Sequence, residues 1–350
     1  MTIVFAILIF SFLIFIHELG HFLSAKAFGV QVNEFSLFMG PAIWKKQVGD
    51  TLYALRCIPI GGYCAMEGEE QDTDNPRSFQ KAAWWKRLII LCAGAAMNFI
   101  AGFLIMVLVF APTEQFVMPI IADYEEGCTI IGDDGLQVGD RILSVDGEAI
   151  YVQSDFSLIL SLNAGDIHDL VVERDGEKVY LDDFVMEKHL FGDETTERYG
   201  FTFSVEDANA WNTLCYAWAQ TMDTVRLVRL SLQMLFTGQA SVSDVTGPVG
   251  IVSMMSEVAS ESASALDAVL NVLYLGGFIA INLAVMNMLP IPALDGGRVF
   301  FLLITTAIEA VTHKKVDPKY EAWIHGAGMV VLLIIMALIM FKDVFTIFWG

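Results

Sequence analysis

The sequence predicts a polytopic α-helical membrane protein of about four transmembrane helices, with a membrane-associated β-hairpin region and an inserted β-rich domain. Three observations carry this reading. Of 350 residues, 55% are hydrophobic and the mean hydropathy is +0.56, too apolar for an ordinary soluble domain. Four apolar runs, near residues 1–25, 88–111, 266–289 and 323–349, are each long enough as helix to cross a hydrocarbon core of about 30 Å. The net charge of −21 is concentrated: residues 112–266 hold 27 acidic and 7 basic side chains, whereas the rest of the chain holds 14 and 13. One acidic, soluble segment therefore sits between spans. Its charge argues against nucleic acid as a partner and otherwise speaks only to solubility and a preference for non-acidic partners, while the apolar runs imply a lipid bilayer.

The first run spans the membrane as a helix and is not read as a cleaved leader, since it lacks a basic start. Inside it lies Phe15-Ile16-His17-Glu18-Leu19-Gly20-His21. Residues four apart on a helix sit one above the other, so His17 and His21 offer two imidazoles to one Zn²⁺, with Glu18 beside the metal to handle a proton from bound water. Ionisable side chains near mid-membrane each cost about 2.5 to 3.5 kcal/mol by insertion scales, so three of them within one turn imply a function.

Residues 29–80 change to short alternating stretches, 30–37 and 51–56, punctuated by Gly40-Pro41 and Gly49-Asp50, which predict a hairpin or small sheet. Next comes Cys57-Ile58-Pro59-Ile60-Gly61-Gly62-Tyr63, either an ordinary turn or a segment dipping into the membrane where protein covers its backbone. In the second span, Ala93, Gly94, Ala95 and Ala96 permit close helix approach and Asn98 is placed to bond across it. Eight Lys/Arg at 26–87 and three more at 312–320 place both loops in the cytoplasm, and residues 112–266 outside.

Within the acidic segment, strands flank Asp-Gly turns at Asp146-Gly147 and Asp175-Gly176, and residues 155–162 predict a short helix. The run Gly139-Asp140-Arg141-Ile142-Leu143-Ser144-Val145-Asp146-Gly147 resembles a PDZ domain, a module that captures extended peptides at a sheet edge. Residues 211–236 form a helical pattern that suits a membrane surface or a packed soluble helix. The expected organisation is 1–111 for the first two spans with the hairpin region, 112–206 for the PDZ-like domain, 207–265 for peripheral helices and linker, and 266–350 for the last two spans.

A catalytic zinc site takes three protein ligands and leaves a position for water. Entering from outside, the third span reaches Asp295 at the depth of His17 and His21, near the cytoplasmic face. Asp295 is therefore the candidate third ligand, with a helix-capping role as the alternative. Pro290 and Pro292 break the helix just before it, leaving backbone that needs a partner or cavity. His325, at the start of the fourth run, reads as an interfacial residue. The five cysteines form no CxxC pair and indicate neither a disulfide framework nor a thiolate site.

Together, the HExxH run, Pro59-Ile60-Gly61-Gly62-Tyr63, the PDZ-like insertion, Gly247-Pro248-Val249-Gly250-Ile251 and Asn287-x-x-Pro290-x-Pro292-x-Leu294-Asp295-Gly296-Gly297 occur in the order found in bacterial site-2 proteases. The chain resembles the RseP/RasP-like intramembrane zinc metalloproteases with one PDZ domain. At residues 128–134 it departs from the Ser-Pro-Ala-like run usual in those PDZ domains. The resemblance implies zinc at His17, His21 and Asp295, Glu18 as general base, and Asn287 as a substrate contact. It also implies that the 29–80 region, including Gly61 and Gly62, holds substrate as an extended strand beside Pro290 and Pro292. The implied substrates are single-pass membrane proteins, cut within or near their spans, such as an anti-sigma factor or signal-peptide remnants. The implied location is the bacterial plasma membrane, with the active site toward the cytoplasm and the PDZ-like domain outside. Two rival readings are a cation path and an inactive scaffold. Polar residues gathered toward one face count against the first, and Glu18 beside both histidines against the second.

Overall fold

The computed structural model describes residues 2–69, 73–132, 135–163, 165–190, 197–241, 246–313 and 318–349. The chain divides into two compact units, one built from residues 1–105 and 228–350 and the other from 106–227. Lys314 and Lys315 of the second basic loop, and Asp133 and Asp134 of the run that departs from the PDZ pattern, lie outside the described residues.

In the first unit, α1 (Thr2–Ala27), α2 (Trp84–Phe110), α6 (Ala265–Asn287) and α8 (Pro318–Trp349) contain the candidate membrane spans, four among the described residues. Helices α1 and α2 approach closely where side chains are small: a Cβ on Gly20 would lie 2.3 Å from the Ala93 carbonyl oxygen. That contact is the one expected of the Ala93 to Ala96 run. Without it, the imidazoles of α1 could not reach the backbone of α2.

The hairpin region consists of β1 (Val32–Val48) and β2 (Thr51–Met66), both bent. Their register doubles back, so that Leu52 to Leu55 lie beside Glu34 to Leu37 on one side and beside Trp44 to Gln47 on the other. Gly62 to Ala65 pair with Leu37 to Glu34 across the opposite edge. The bend uses left-handed backbone at Phe38 (φ 71°) and Gly40 (φ 86°). Arg56 closes it, with Nη2 2.6 Å from Glu34 Oε1 and donating to the Tyr63 hydroxyl at 2.8 Å, while its Nε donates to Ser36 Oγ at 2.9 Å.

Two further helices belong to this unit, together with the end of a helix that begins in the other. The shorter, α5 (Pro248–Glu261), starts on Gly247-Pro248, and the Gly250 N–H donates to Asp343 Oδ2 of α8 at 2.9 Å. Helix α7 (Asp295–Thr312) was not anticipated between the last two spans. Its start explains the paired glycines: a Cβ on Gly296 would meet the Leu289 carbonyl oxygen at 2.3 Å, and one on Gly297 would meet the Ile291 carbonyl oxygen at 2.3 Å. Only glycine lets the 288–292 turn fold over the first turn of α7.

The second unit is a sheet in the order β7-β6-β4-β3-β8, with β5 paired to β4. Its strands are β3 (Gln115–Tyr124), β4 (Arg141–Val145), β5 (Glu148–Ala149), β6 (Ile167–Arg174), β7 (Glu177–Val185) and β8 (Phe201–Asp207). Helix α3 (Gln153–Leu162) packs Phe156 and Ile159 into a core with Ile121, Leu136, Ile142, Leu170 and Val172. Both expected Asp-Gly turns are present, with positive φ at Asp146, Gly147, Asp175 and Gly176. The Gly139-Asp140 pair has a physical role, since the fully buried Asp140 carboxylate accepts from Arg174 Nη2 at 2.7 Å and from the Gln137 N–H at 2.8 Å. Helix α4 (Ala210–Thr237) contributes Asp223 and Arg226 to a buried cluster. There Arg226 Nη2 lies 2.8 Å from Asp155 Oδ1, and the guanidinium also pairs with Asp223 and donates to the Ala149 carbonyl. Burial, and the neighbouring Asp155, push the Asp223 carboxyl up to about 7.

Candidate metal centre

Helical spacing on α1 places His17 Nε2 and His21 Nε2 3.2 Å apart. Asp295, the first residue of α7, brings Oδ2 to 3.1 Å from His17 Nε2 and 3.2 Å from His21 Nε2. Three donor atoms from two helices thus form a nearly equilateral triangle. Tetrahedral ligands at about 2.0 to 2.1 Å from a zinc ion are about 3.3 Å from one another, so the triangle has the size of one face of such a site.

Proton placement supports the same conclusion. His21 Nδ1 lies 2.8 Å from the Ile90 carbonyl oxygen, which only accepts, so Nδ1 carries a hydrogen and Nε2 is the nitrogen turned toward the cluster. Asp295 Oδ2 is buried with no hydrogen-bond donor directed at it. With both Nε2 atoms unprotonated the three lone pairs would repel one another, and a cation is the partner that satisfies all of them. The donor set fits Zn²⁺, and the imidazoles lie in a cradle that a side chain would fill. A Cβ on Gly94 would be 2.4 Å from His21 Nε2 and 2.7 Å from His17 Cε1.

Glu18 is half-buried on the neighbouring face of α1, and the hairpin comes up against it: a Cβ on Gly62 would stand 3.5 Å from Glu18 Cγ and 3.1 Å from the Ser36 carbonyl oxygen. Pro292 packs on Gly328 of α8, where an added Cβ would be 2.4 Å from the proline ring. Pro290 is exposed, and Asn287 ends α6, half-buried, without a hydrogen bond to any of the three donor atoms.

His325, read from the sequence as an interfacial residue, also has a structural role. Its Nδ1 accepts from the Ala293 N–H at 3.0 Å, and its ring meets Phe301 edge-on at 5.4 Å. Ala293 has φ 80°, a costly conformation for a residue with a Cβ, so His325 holds the turn that delivers Asp295. Arg298, one turn further along α7, is anchored by an ion pair with Glu69. Sequence reasoning also missed the Ile90 carbonyl, which no side-chain pattern could reveal.

With this geometry in place, comparison with known proteins defines the class. The sequence pattern described as Peptidase family M50 matches residues 5–335. The chain belongs to peptidase family M50, the site-2 protease family. Similar proteins match over nearly their full lengths. One from Clostridium perfringens, whose name places it among zinc metalloproteases, is 33% identical over 98% of both chains. The zinc metalloprotease RasP of Bacillus licheniformis is 27% identical and the regulator of sigma-W protease RasP of Bacillus subtilis 24% identical, each over 99% of both chains.

Proposed function

We propose that this zinc metalloprotease hydrolyses a peptide bond within or near the transmembrane segment of single-span membrane proteins. The observation that carries the reading is the position of the donor triangle: two of its three corners lie on a helix long and apolar enough to cross a membrane. His17, His21 and Asp295 would hold Zn²⁺, which would supply Lewis acidity and make the attacking water more acidic. Glu18 takes the proton from the attacking water and returns it to the leaving amine. It is about 100° around the helix from His17, and so is aimed beside the metal position and not at it.

A transmembrane helix hides its carbonyls in its own hydrogen bonds, so the scissile segment must first be extended. The hairpin is suited to receive it. Gly62 passes close to Glu18, and a strand added at this edge would lie beside the site. Asn287, Pro290 and Pro292, at the turn before Asp295, line the other approach as substrate-binding residues. The name of the Bacillus subtilis relative supports regulated proteolysis, for example of an anti-sigma factor, as the biological setting, with clearance of signal-peptide remnants as a second use of the same chemistry.

The proposed location is the bacterial plasma membrane, with the metal centre toward the cytoplasm and the β-rich unit, read as a PDZ-like domain, outside. Cys128 is a poor reporter, because its thiol is half-buried and donates to the Tyr199 carbonyl at 3.3 Å. Cys215 and Cys57 are exposed. An impermeant maleimide should label Cys215 in intact cells and Cys57 only after permeabilisation, and the reverse pattern overturns the orientation.

The activity itself is tested by co-expression with a panel of single-span proteins. Glu18→Gln should keep zinc and fold while cleavage falls by about 10² to 10⁴. Cleavage at the native rate by that variant, or zinc transport into vesicles with no cleavage by the native protein, excludes the reading.

A further inference from the structure

Helix α2 presents three residues to the histidines at successive four-residue steps, Ile90, Gly94 and Asn98. The first accepts from His21 Nδ1 through its carbonyl, and the second gives the imidazoles room. The third, only 1% exposed, has Nδ2 3.4 Å from His17 Nδ1, while its Oδ1 is buried without a partner. We propose that Asn98 is a positioning residue that selects the metal-binding tautomer of His17, a proposal resting on the reading that His17 Nε2 ligates zinc.

A side-chain amide has nearly the same shape either way round, so two pairings fit the same space. With Nδ2 donating to His17 Nδ1, the imidazole proton must sit on Nε2, where it points at His21 Nε2 and Asp295 Oδ2 and blocks metal binding. With the amide turned, Oδ1 accepts from Nδ1–H, Nδ2 takes the place that the oxygen held, and the Nε2 lone pair faces the metal position. Only the second arrangement is compatible with a ligand. It gives His17 the relation to α2 that His21 already has: an oxygen acceptor at Nδ1, one from backbone and one from a side chain two turns along the same helix.

The test is zinc affinity, measured by chelator competition on the full-length protein in detergent, with the melting temperature of the metal-free protein as the check on folding. Asn98→Leu keeps the volume and removes the acceptor, so zinc binding should weaken by about 10- to 100-fold. Asn98→Asp keeps an acceptor and loses the donor, and should bind zinc close to native strength. If Asn98→Leu does not fold, Asn98→Ala replaces it with the same expected loss. Native affinity in the leucine or alanine variant shows that Asn98 only packs, and an aspartate variant as weak as the leucine one shows that it acts as a donor; either result overturns the proposal. His17→Ala serves as reference. Should it bind zinc undiminished, the ligand assignment itself fails, an outcome distinct from failure of the Asn98 role.

Discussion

The two units each bury carboxylates, and they complete them differently. In the β-rich unit, Asp155 and Asp223 share Arg226, whose guanidinium is also bonded to the Ala149 carbonyl, so the countercharge comes from the chain. At the proposed metal centre Asp295 faces two imidazoles, and the hydrogen on His21 Nδ1 goes to the Ile90 carbonyl. The first cluster is closed and fastens α4 to α3. The second is open by one cation. The contrast separates carboxylates paired with a fixed guanidinium of the chain from one whose neighbours are two imidazoles, a donor set that a metal ion fits.

The largest expected effect lies on the open side of this contrast. Asp295→Ala should lose zinc and proteolysis together, down to background, as read by metal content and cleavage of a membrane substrate; retained stoichiometric zinc would show that the triangle is not the site. On the closed side, Arg226→Met leaves two acids buried without compensation, and should destabilise the β-rich unit by about 3 to 5 kcal/mol while zinc content stays at about one per chain. Loss of zinc in that variant, with the unit still folded, would blur the distinction between the clusters.

A smaller effect comes from pH. The Asp223 carboxyl is held at about 7, above its ordinary value near 3.8 in an unfolded chain. Between these values the unfolded state gives up a proton that the folded state keeps, so stability of the β-rich unit should fall as pH rises from about 4 to about 7 and level off above. Asp223→Asn should flatten that slope. Hydrogen exchange of α3 amides, corrected for the intrinsic pH dependence, measures it; an unchanged slope in the variant assigns the effect to another group.

The grouping of His17, His21 and Asp295 was legible in the sequence because the chemistry that it suggests is local. HExxH needs only helical spacing, and Asp295 follows from the length of α6 and the depth it reaches. The small residues from Ala93 to Ala96 announced the close helix contact that Gly20 completes. What escaped was carried by backbone or by tertiary position. The Ile90 carbonyl has no side-chain signature. His325 looked like the start of a span, because its partner is the N–H of a left-handed Ala293 that exists only once the turn has formed. Helix α7 was hidden because the prolines before it and the Gly-Gly at its start resemble a loop, until the close packing at Gly296 and Gly297 shows why glycine is required there.

The support of His21 by a carbonyl has a genetic consequence. A backbone acceptor cannot be deleted by a codon change, so in a saturation scan position 90 should tolerate other apolar residues that fill the same buried space. Position 94, one turn along, should reject even alanine. A map of tolerated substitutions along α2 would then show a permissive site directly before a forbidden one, although both touch the same imidazole, and the permissive site would be the one that forms the hydrogen bond.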